Sequence, residues 1–326
     1  MGVEVLLASD GAALHLLRAE FPLLPTFELP SYRIRYESSN MVRNMAGQLP
    51  RIGYAVRAEK WATDKLVKAY GIQGIISDNR YGCFSRRADS VMITHQLHLR
   101  VPNRFAAWMA NRVLRLALHK FDRIWVPDVE TAPGLSGELS HGETKVHRAV
   151  QFIGPLSRLK IYPADHEYDV AVVLSGPEPQ RTLLEQRLLE QAMPLSRKFI
   201  FIQGKTQSKA HHFAADHVEI VSYLTSRNLN DVLLASKVLV CRSGYSSIMD
   251  LAALGKKAIL IPTPGQTEQE YLAESLAAQH IFLAQRQEEI DLEAGLKAVE
   301  GTSGIGIGTF GVDGFRGMLE GWVAGL

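Results

Sequence analysis

The sequence is short of cysteine. Its two, Cys83 and Cys241, stand far apart and match no metal-ligand spacing, which excludes a disulfide framework or a zinc module and suits core thiols in a reducing compartment. Long apolar runs are also missing: no stretch approaches the roughly 20 residues of a membrane-spanning helix. The segment from Met1 to Ser9 carries neither a basic leader nor a small-residue cleavage site, so a cytoplasmic protein is expected. Charge of one sign is not in excess, since 36 Lys and Arg face 34 Asp and Glu for a formal net charge of +2. That balance excludes wholesale wrapping of nucleic acid. No Asp-x-Asp occurs, which removes a carboxylate pair for a divalent ion at a sugar diphosphate. No metal and no cofactor are expected.

What is present describes a folded chain. Hydrophobic residues make up 46% and charged residues 21% of 326, enough for two cores in two domains of roughly 150 residues. Short β-branched runs alternate with segments of helical period, at Val3–Ala8, Gly74–Ser77, Val91–Thr94 and Ile124–Val126, which is an α/β pattern. Gly154-Pro155 and the polar stretch from Pro163 to His166 suggest the crossover, giving an N-terminal domain over 1–162 and a C-terminal domain over 163–326, with 312–324 expected to return to the first.

In the second half the strands predicted at Val170–Leu174, Phe199–Ile202, Val218–Val221, Val238–Cys241 and Ala258–Ile261 are nearly continuous in apolar residues. Between and after them come helices predicted around Arg181–Gln191, Leu229–Ala235, Ser246–Leu254 and Glu268–Ala278. Such strands belong to a parallel sheet covered on both faces, and ligands of these sheets bind beyond the carboxyl ends of the strands. The candidate residues therefore follow the strands: Ser175 and Gly176, Gln203 and Gly204, Arg242, Ser243 and Gly244, and Pro262, Thr263, Pro264 and Gly265. Gly244 opens a turn into a helix whose first residues include Ser246 and Ser247; free amides and the positive helix end there suit a diphosphate. Asp250, one turn on, suits the two vicinal hydroxyls of a ribose. The alternative is a plain capped helix. Gln269 and Glu270, at the start of the next helix, have the paired donors and acceptors that read sugar hydroxyls.

Arg242 to Asp250, Gly255, Ile261-Pro262 and Gln269-Glu270-Tyr271 together resemble the donor-site signature of the MurG-like GT-B glycosyltransferases, of the type with a family 28 C-terminal domain. The resemblance implies GT-B architecture, an α/β fold of two Rossmann-like domains facing a cleft. It implies an inverting, metal-independent transfer of a hexose or N-acetylhexosamine from a UDP-sugar, UDP-N-acetylglucosamine favoured, to an acceptor hydroxyl. By position, Ser246 and Ser247 would face the diphosphate, Asp250 the ribose, and Gln269 and Glu270 the transferred sugar. Arg181, after the first glycine turn at Gly176, would support the diphosphate, and Leu224 would border the uracil. Two rivals stand beside this reading, a UDP-sugar epimerase and a non-catalytic nucleotide-sugar-binding subunit.

The family opens with a strand, a Gly-rich loop bearing a histidine and a helix, and nothing here matches that unit ahead of Val3 to Ser9. The expectation is a truncated start or an abnormal acceptor domain. A general base must then come from elsewhere in the first domain. Asp78 ranks first and His95 second, each directly after a predicted strand; an Asx turn and a core histidine are the plainer alternatives.

Residues 100–123 carry Arg100, Arg104, Arg112, Arg115, Lys120 and Arg123 among Phe105, Trp108, Met109, Val113, Leu114 and Leu116, with Asp122 the only acid. A basic amphipathic helix of this kind suits an anionic membrane surface, on the inner face and near a lipid-linked acceptor, or an ordinary packed helix with a basic outer face. Two further motifs are discounted. Gly306-x-Gly308-x-x-Gly311 lies outside any βαβ unit and reads as a hinge, and Gly204-Lys205-Thr206 lacks the leading glycine of a phosphate loop, with Phe199 in its place. His211-His212 reads as a solvated surface pair.

Overall fold

The computed structural model describes residues 2–31, 41–101, 103–142, 149–206, 208, 210–306 and 313–326. The glycines at 308 and 311 lie outside them. The chain divides into two compact units, Met1–Pro155 with Gly311–Leu326, and Leu156–Phe310.

Unit 1 runs β1 (Leu7–Ser9), α1 (Gly11–Glu20), β2 (Thr26–Glu28), α2 (Met41–Tyr70), β3 (Gly74–Asp78), β4 (Asp89–Ile93), α3 (Arg104–Leu118), β5 (Arg123–Val126), α4 (Glu138–His141) and β6 (Ala149–Phe152). Its described strands fall into two parallel sheets, β1-β2 and β3-β4-β5-β6. Met92, Leu97, Leu114, Leu118, Phe121, Ile124 and Val126 form a core beside the larger sheet. An ion cluster ties the loops after β1 and β3 together. Arg80 donates to Asp10, to Glu59 and, at 2.9 Å, to the Pro30 carbonyl, while fully buried Glu59 also accepts the Gly82 N–H at 2.8 Å.

Unit 2 runs β7 (Tyr168–Val173), α5 (Gln180–Ala192), β8 (Phe199–Ile202), β9 (His211–Ala215), β10 (Val218–Val221), α6 (Ser226–Leu234), β11 (Ser236–Cys241), α7 (Tyr245–Leu254), β12 (Lys257–Leu260), α8 (Thr267–Ala278), β13 (Leu283–Ala284) and α9 (Leu292–Ala298). One seven-stranded sheet has the order β13-β12-β11-β7-β8-β10-β9. All pairs are parallel except β10 with β9. Phe199 to Ile202 is buried at every position, as a strand covered on both faces requires. Val170, Val172, Leu184, Leu188, Phe199, Phe201, Val240, Ile259 and Ile261 make the core. The edge strand β9 is exposed except at Ala215, and its His211 pairs with Glu219 at 2.8 Å.

The last helix, α10 (Asp313–Ala324), groups with unit 1. Its Phe315 and Trp322 meet buried Trp125 edge-on, at 5.9 and 5.5 Å between ring centroids. Trp322 and Leu326 come so close to Gly74 that a Cβ there would lie 2.6 Å from each.

The units part at Pro155–Leu156, not near Tyr162. Hydrogen bonds explain the shift: Leu156 N–H points to Met249 Sδ, Lys160 and Asn230 exchange two bonds, and Tyr162 bonds to Asp231. Residues 156–162 thus lie against α6 and α7.

Candidate functional site

The sheet of unit 2 reverses direction between β7 and β11. From β7 the chain moves outward through β8 and β10; from β11 it moves the other way through β12 and β13. The two strands pair in register, Val173 against Cys241, so their exits lie side by side at a topological switch point, where an open α/β sheet leaves a crevice for ligands.

The exit of β11 leads through Arg242 and Ser243 to Gly244, the N-cap of α7. The first bond of the helix runs from Ile248 N–H to Gly244 O at 3.1 Å, which leaves the amides of Ser246 and Ser247 ahead of the ladder. Their hydroxyls have no hydrogen-bond partner among the described residues, and a Cβ at Gly244 would meet nothing within 4 Å. Ser246 and Ser247 stand four and three residues before Asp250, so all three share one helix face. The Ser157 hydroxyl donates to one Asp250 oxygen at 2.6 Å. Burial raises the pKa of Asp250, an effect that this bond and the charge of Arg158 oppose.

Two sequence-derived candidates have other work. Arg242 is 1% exposed, and its guanidinium donates to the carbonyls of Ile261, Pro262 and Gln180 and to Gln287 Oε1, at 2.6 to 3.2 Å. Burial lowers its pKa to about 10, against the opposing charge of Glu288. It is a clamp holding the ends of three loops, not an open anion ligand. Ser243 is fully buried and spends its hydroxyl on the Gln269 carbonyl at 2.7 Å, fastening the start of α8 to the α7 turn.

Gln269 and Glu270 both brace the loop before α8. The Gln269 amide accepts from Thr263 N–H at 2.9 Å and donates to Gln266, and Glu270 accepts from Gly265 N–H at 2.9 Å. Gln269 thus engages both ends of its amide, and Glu270 one of its two oxygens. At the β7 exit, Ser175 leads into Gly176, whose φ of 95° is in the region glycine favours. Arg181 donates to Glu178 and, at 3.1 Å, to the Gly204 carbonyl. Burial pushes the Glu178 pKa up, but the bonds from Arg181 and Thr182 outweigh it and the net shift is downward. The Arg181 charge is therefore already compensated. Leu224 lies half-buried between β10 and α6.

In unit 1, Asp78 ends β3 and His95 follows β4, at the same end of two adjacent parallel strands. Asp78 is exposed as a residue, yet the protein atoms that crowd its carboxyl raise its pKa, and the charge of His95 opposes the rise.

Sequence reasoning missed Ser157, Gln180 and Gln287, which hold Asp250 and Arg242. Thr263, in the loop after β12, has a buried hydroxyl that, like the Nε of Arg242, finds no partner among the described residues. Gln287 is 45 residues from Arg242, and no local pattern connects them.

The family model for the glycosyltransferase family 28 C-terminal domain matches residues 172–301, from the end of β7 to beyond α9. Residues 172–301 are a glycosyltransferase family 28 C-terminal domain. An 87-residue stretch, 26% of the chain, is 31% identical to the UDP-N-acetylglucosamine--N-acetylmuramyl-(pentapeptide) pyrophosphoryl-undecaprenol N-acetylglucosamine transferase of Caldanaerobacter subterraneus subsp. tengcongensis. The match spans 23% of that relative's length. Among solved structures, Arabidopsis thaliana UGT89C1 complexed with UDP-L-rhamnose has a TM-score of 0.57 at 13% identity, over 93% of this chain and 83% of that one. The spinosyn rhamnosyltransferase SpnG complexed with thymidine diphosphate has 0.55 at 13%, over 91% of each chain. These two likenesses speak to fold: the family 28 domain and the unit before it have the two parallel-sheet Rossmann-like domains of GT-B glycosyltransferases. Among the described residues no helix is long and apolar enough to cross a membrane.

Proposed function

We propose that this chain is an inverting, metal-independent glycosyltransferase that moves a hexose or N-acetylhexosamine from a UDP-sugar to an acceptor hydroxyl. One observation carries the reading: at the switch point, the α7 terminus offers two amides and two hydroxyls that have no partner among the described residues, beside an open glycine, with a carboxylate one turn below on the same face. A diphosphate takes the amides and hydroxyls. The second oxygen of Asp250 takes a ribose hydroxyl while Ser157 holds the first. The second amide hydrogen of Gln269 and the second oxygen of Glu270 meet the sugar, and Leu224 borders the base.

One sequence relative and one structural neighbour are consistent with a nucleoside-diphosphate donor. The Caldanaerobacter protein is named for UDP-N-acetylglucosamine, which makes that sugar nucleotide the favoured donor here. UGT89C1 was solved with a UDP-sugar. The proton balance requires a base, a role we assign first to Asp78 and second to His95. The acceptor oxygen attacks the anomeric carbon as its proton passes to the base, the bond to the β-phosphate oxygen breaks, and UDP leaves with its charge facing the α7 amides. A single displacement of this kind inverts the anomeric centre.

Calorimetric titration of UDP and UDP-N-acetylglucosamine without added metal tests the donor half. Both should bind wild type, and Asp250→Ala should weaken each at least tenfold, about 1.4 kcal/mol. Absence of binding by either nucleotide contradicts the reading. Sugar released or epimerised without an acceptor would point to the epimerase rival, and tight UDP binding with no turnover on any acceptor to the non-catalytic one.

A further inference from the structure

A cavity of about 540 Å³ opens beside β6 in unit 1, a size within the roughly 300–1,000 Å³ of small-molecule sites. Val150, Phe152 and Ile153 of β6 and its exit, Val129 of the loop after β5 and Met318 of α10 make its apolar walls. All of them belong to unit 1. Among the described residues β6 pairs with β5 alone, and Ile153 N–H goes to the Val126 carbonyl at 2.9 Å. Alternation along the strand therefore turns the carbonyls of Val150 and Phe152 to the open edge. His141 braces two of the walls: its ring stacks on Phe152 at 5.0 Å between centroids, and its Nε2 bonds to the Val129 carbonyl at 3.0 Å.

Charge identifies the guest. The lining includes the carboxylates of Asp128 and Glu130 and no Lys, Arg or His. Asp128 is fully buried, and its oxygens accept the N–H groups of Val129, Leu135 and Ser136 and the Ser136 hydroxyl at 2.5 to 3.1 Å. Neutral donors surround that carboxylate, and it has no ion pair among the described residues. Glu130 is exposed and has no ion pair among them either. A metal ion suits the cavity poorly. Both Asp128 oxygens are already engaged, and the described residues hold no group of three or more His, Cys, Asp or Glu that could bind one. An anion is repelled. An organic cation matches every feature: its ammonium meets carboxylate and carbonyl oxygens while its apolar body covers the side-chain walls.

We propose that this cavity is a binding site for an amine-bearing small molecule, with Glu130 and the main-chain carbonyls of Val150 and Phe152 at the ammonium and Val129, Phe152 and Met318 along its apolar body. The inference stands on unit 1 alone and does not depend on the donor-site reading.

Fluorescence titration of the full chain with dansylcadaverine tests it, because that probe joins a primary ammonium to an apolar ring. Its N-acetyl derivative, with the same ring and no charge, is the control. Wild type should bind the amine saturably and about tenfold more tightly than the acetylated form. Glu130→Lys should weaken the amine about tenfold and leave the acetylated form unchanged, whereas Met318→Ala should weaken both. Glu130 is exposed, so thermal unfolding of its variant should match wild type and separate binding from folding. UDP titration should be unaffected in both variants. A wild type that takes the amine but no UDP would sink the donor-site reading and leave this one standing. No saturable binding of the amine overturns the proposal, as does equal affinity for the acetylated form. Unchanged amine affinity in both variants also overturns it and assigns the wild-type signal to adsorption of the probe elsewhere.

Discussion

Arg80 in unit 1 and Arg242 in unit 2 each follow the carboxyl end of a parallel strand, and the two are compensated in opposite ways. Arg80 meets the carboxylates of Glu59 and Asp10, which raise its pKa against the opposing effect of burial. Arg242 meets four neutral oxygens, and burial lowers its pKa. The difference follows from what each loop does. In unit 1 an ion cluster joins two separate sheets, and a full charge on either side serves that purpose. In unit 2 the same arrangement would put a carboxylate next to the helix terminus proposed to receive the diphosphate. Carbonyl dipoles hold the guanidinium without cancelling the field of the turn.

The largest effect should come from the chemistry of unit 1. Asp78→Asn should cut the transfer rate by about 10²- to 10⁴-fold and leave UDP affinity intact, measured by steady-state assay beside titration. In wild type the rate should fall as pH falls through the Asp78 pKa, which lies above the ordinary 3.8, because only the ionised form accepts a proton. Unchanged turnover in the variant transfers the role to His95.

Next, Arg80→Met should destabilise unit 1 by about 3–5 kcal/mol, because it strands a buried carboxylate; exchange of amide hydrogens resolved by peptide would register the loss in unit 1 and spare β7 and β8. Acid works on the same cluster. Burial pushes the Asp10 pKa up, but bonds from Ser31 and Arg80 outweigh it and hold it below 3.8. The stability this gives is fully present above the unfolded value and lost as pH falls through the folded one.

Arg242→Met should cost less, about 1–3 kcal/mol, since every partner it abandons is neutral, yet it should weaken UDP binding by loosening three loops. A loss in stability as large as that of Arg80→Met would break the comparison. Smaller still, Asp250→Asn should leave the unfolding midpoint unchanged or raised at pH 7, because burial makes the ionised carboxylate the costlier form, while UDP affinity falls about tenfold, or 1.4 kcal/mol.

Much of unit 2 was legible because its strands are buried on both faces and announce themselves as unbroken apolar runs. Phe199–Ile202 and Val218–Val221 were read residue for residue, and the helix after Gly244 to within one position. Unit 1 was less so. The strands β2 and β6, three and four residues long and half-exposed, carry too little apolar signal to stand out from loops. At the switch point the sequence pointed to the turn but not to the burial of Arg242 and Ser243. Both are polar residues in a glycine turn, and nothing local distinguishes a guanidinium aimed at a ligand from one aimed at carbonyls 19, 20 and 62 residues away. Burial decides that, and burial belongs to the tertiary fold.

The central claim is that the α7 terminus receives the diphosphate. Amide exchange across 242–250, with and without UDP, addresses it directly. The account predicts that UDP slows exchange at Ser246 and Ser247, whose N–H groups have no intrahelical acceptor. Protection confined to other segments, with these two amides unchanged at saturating UDP, would contradict it.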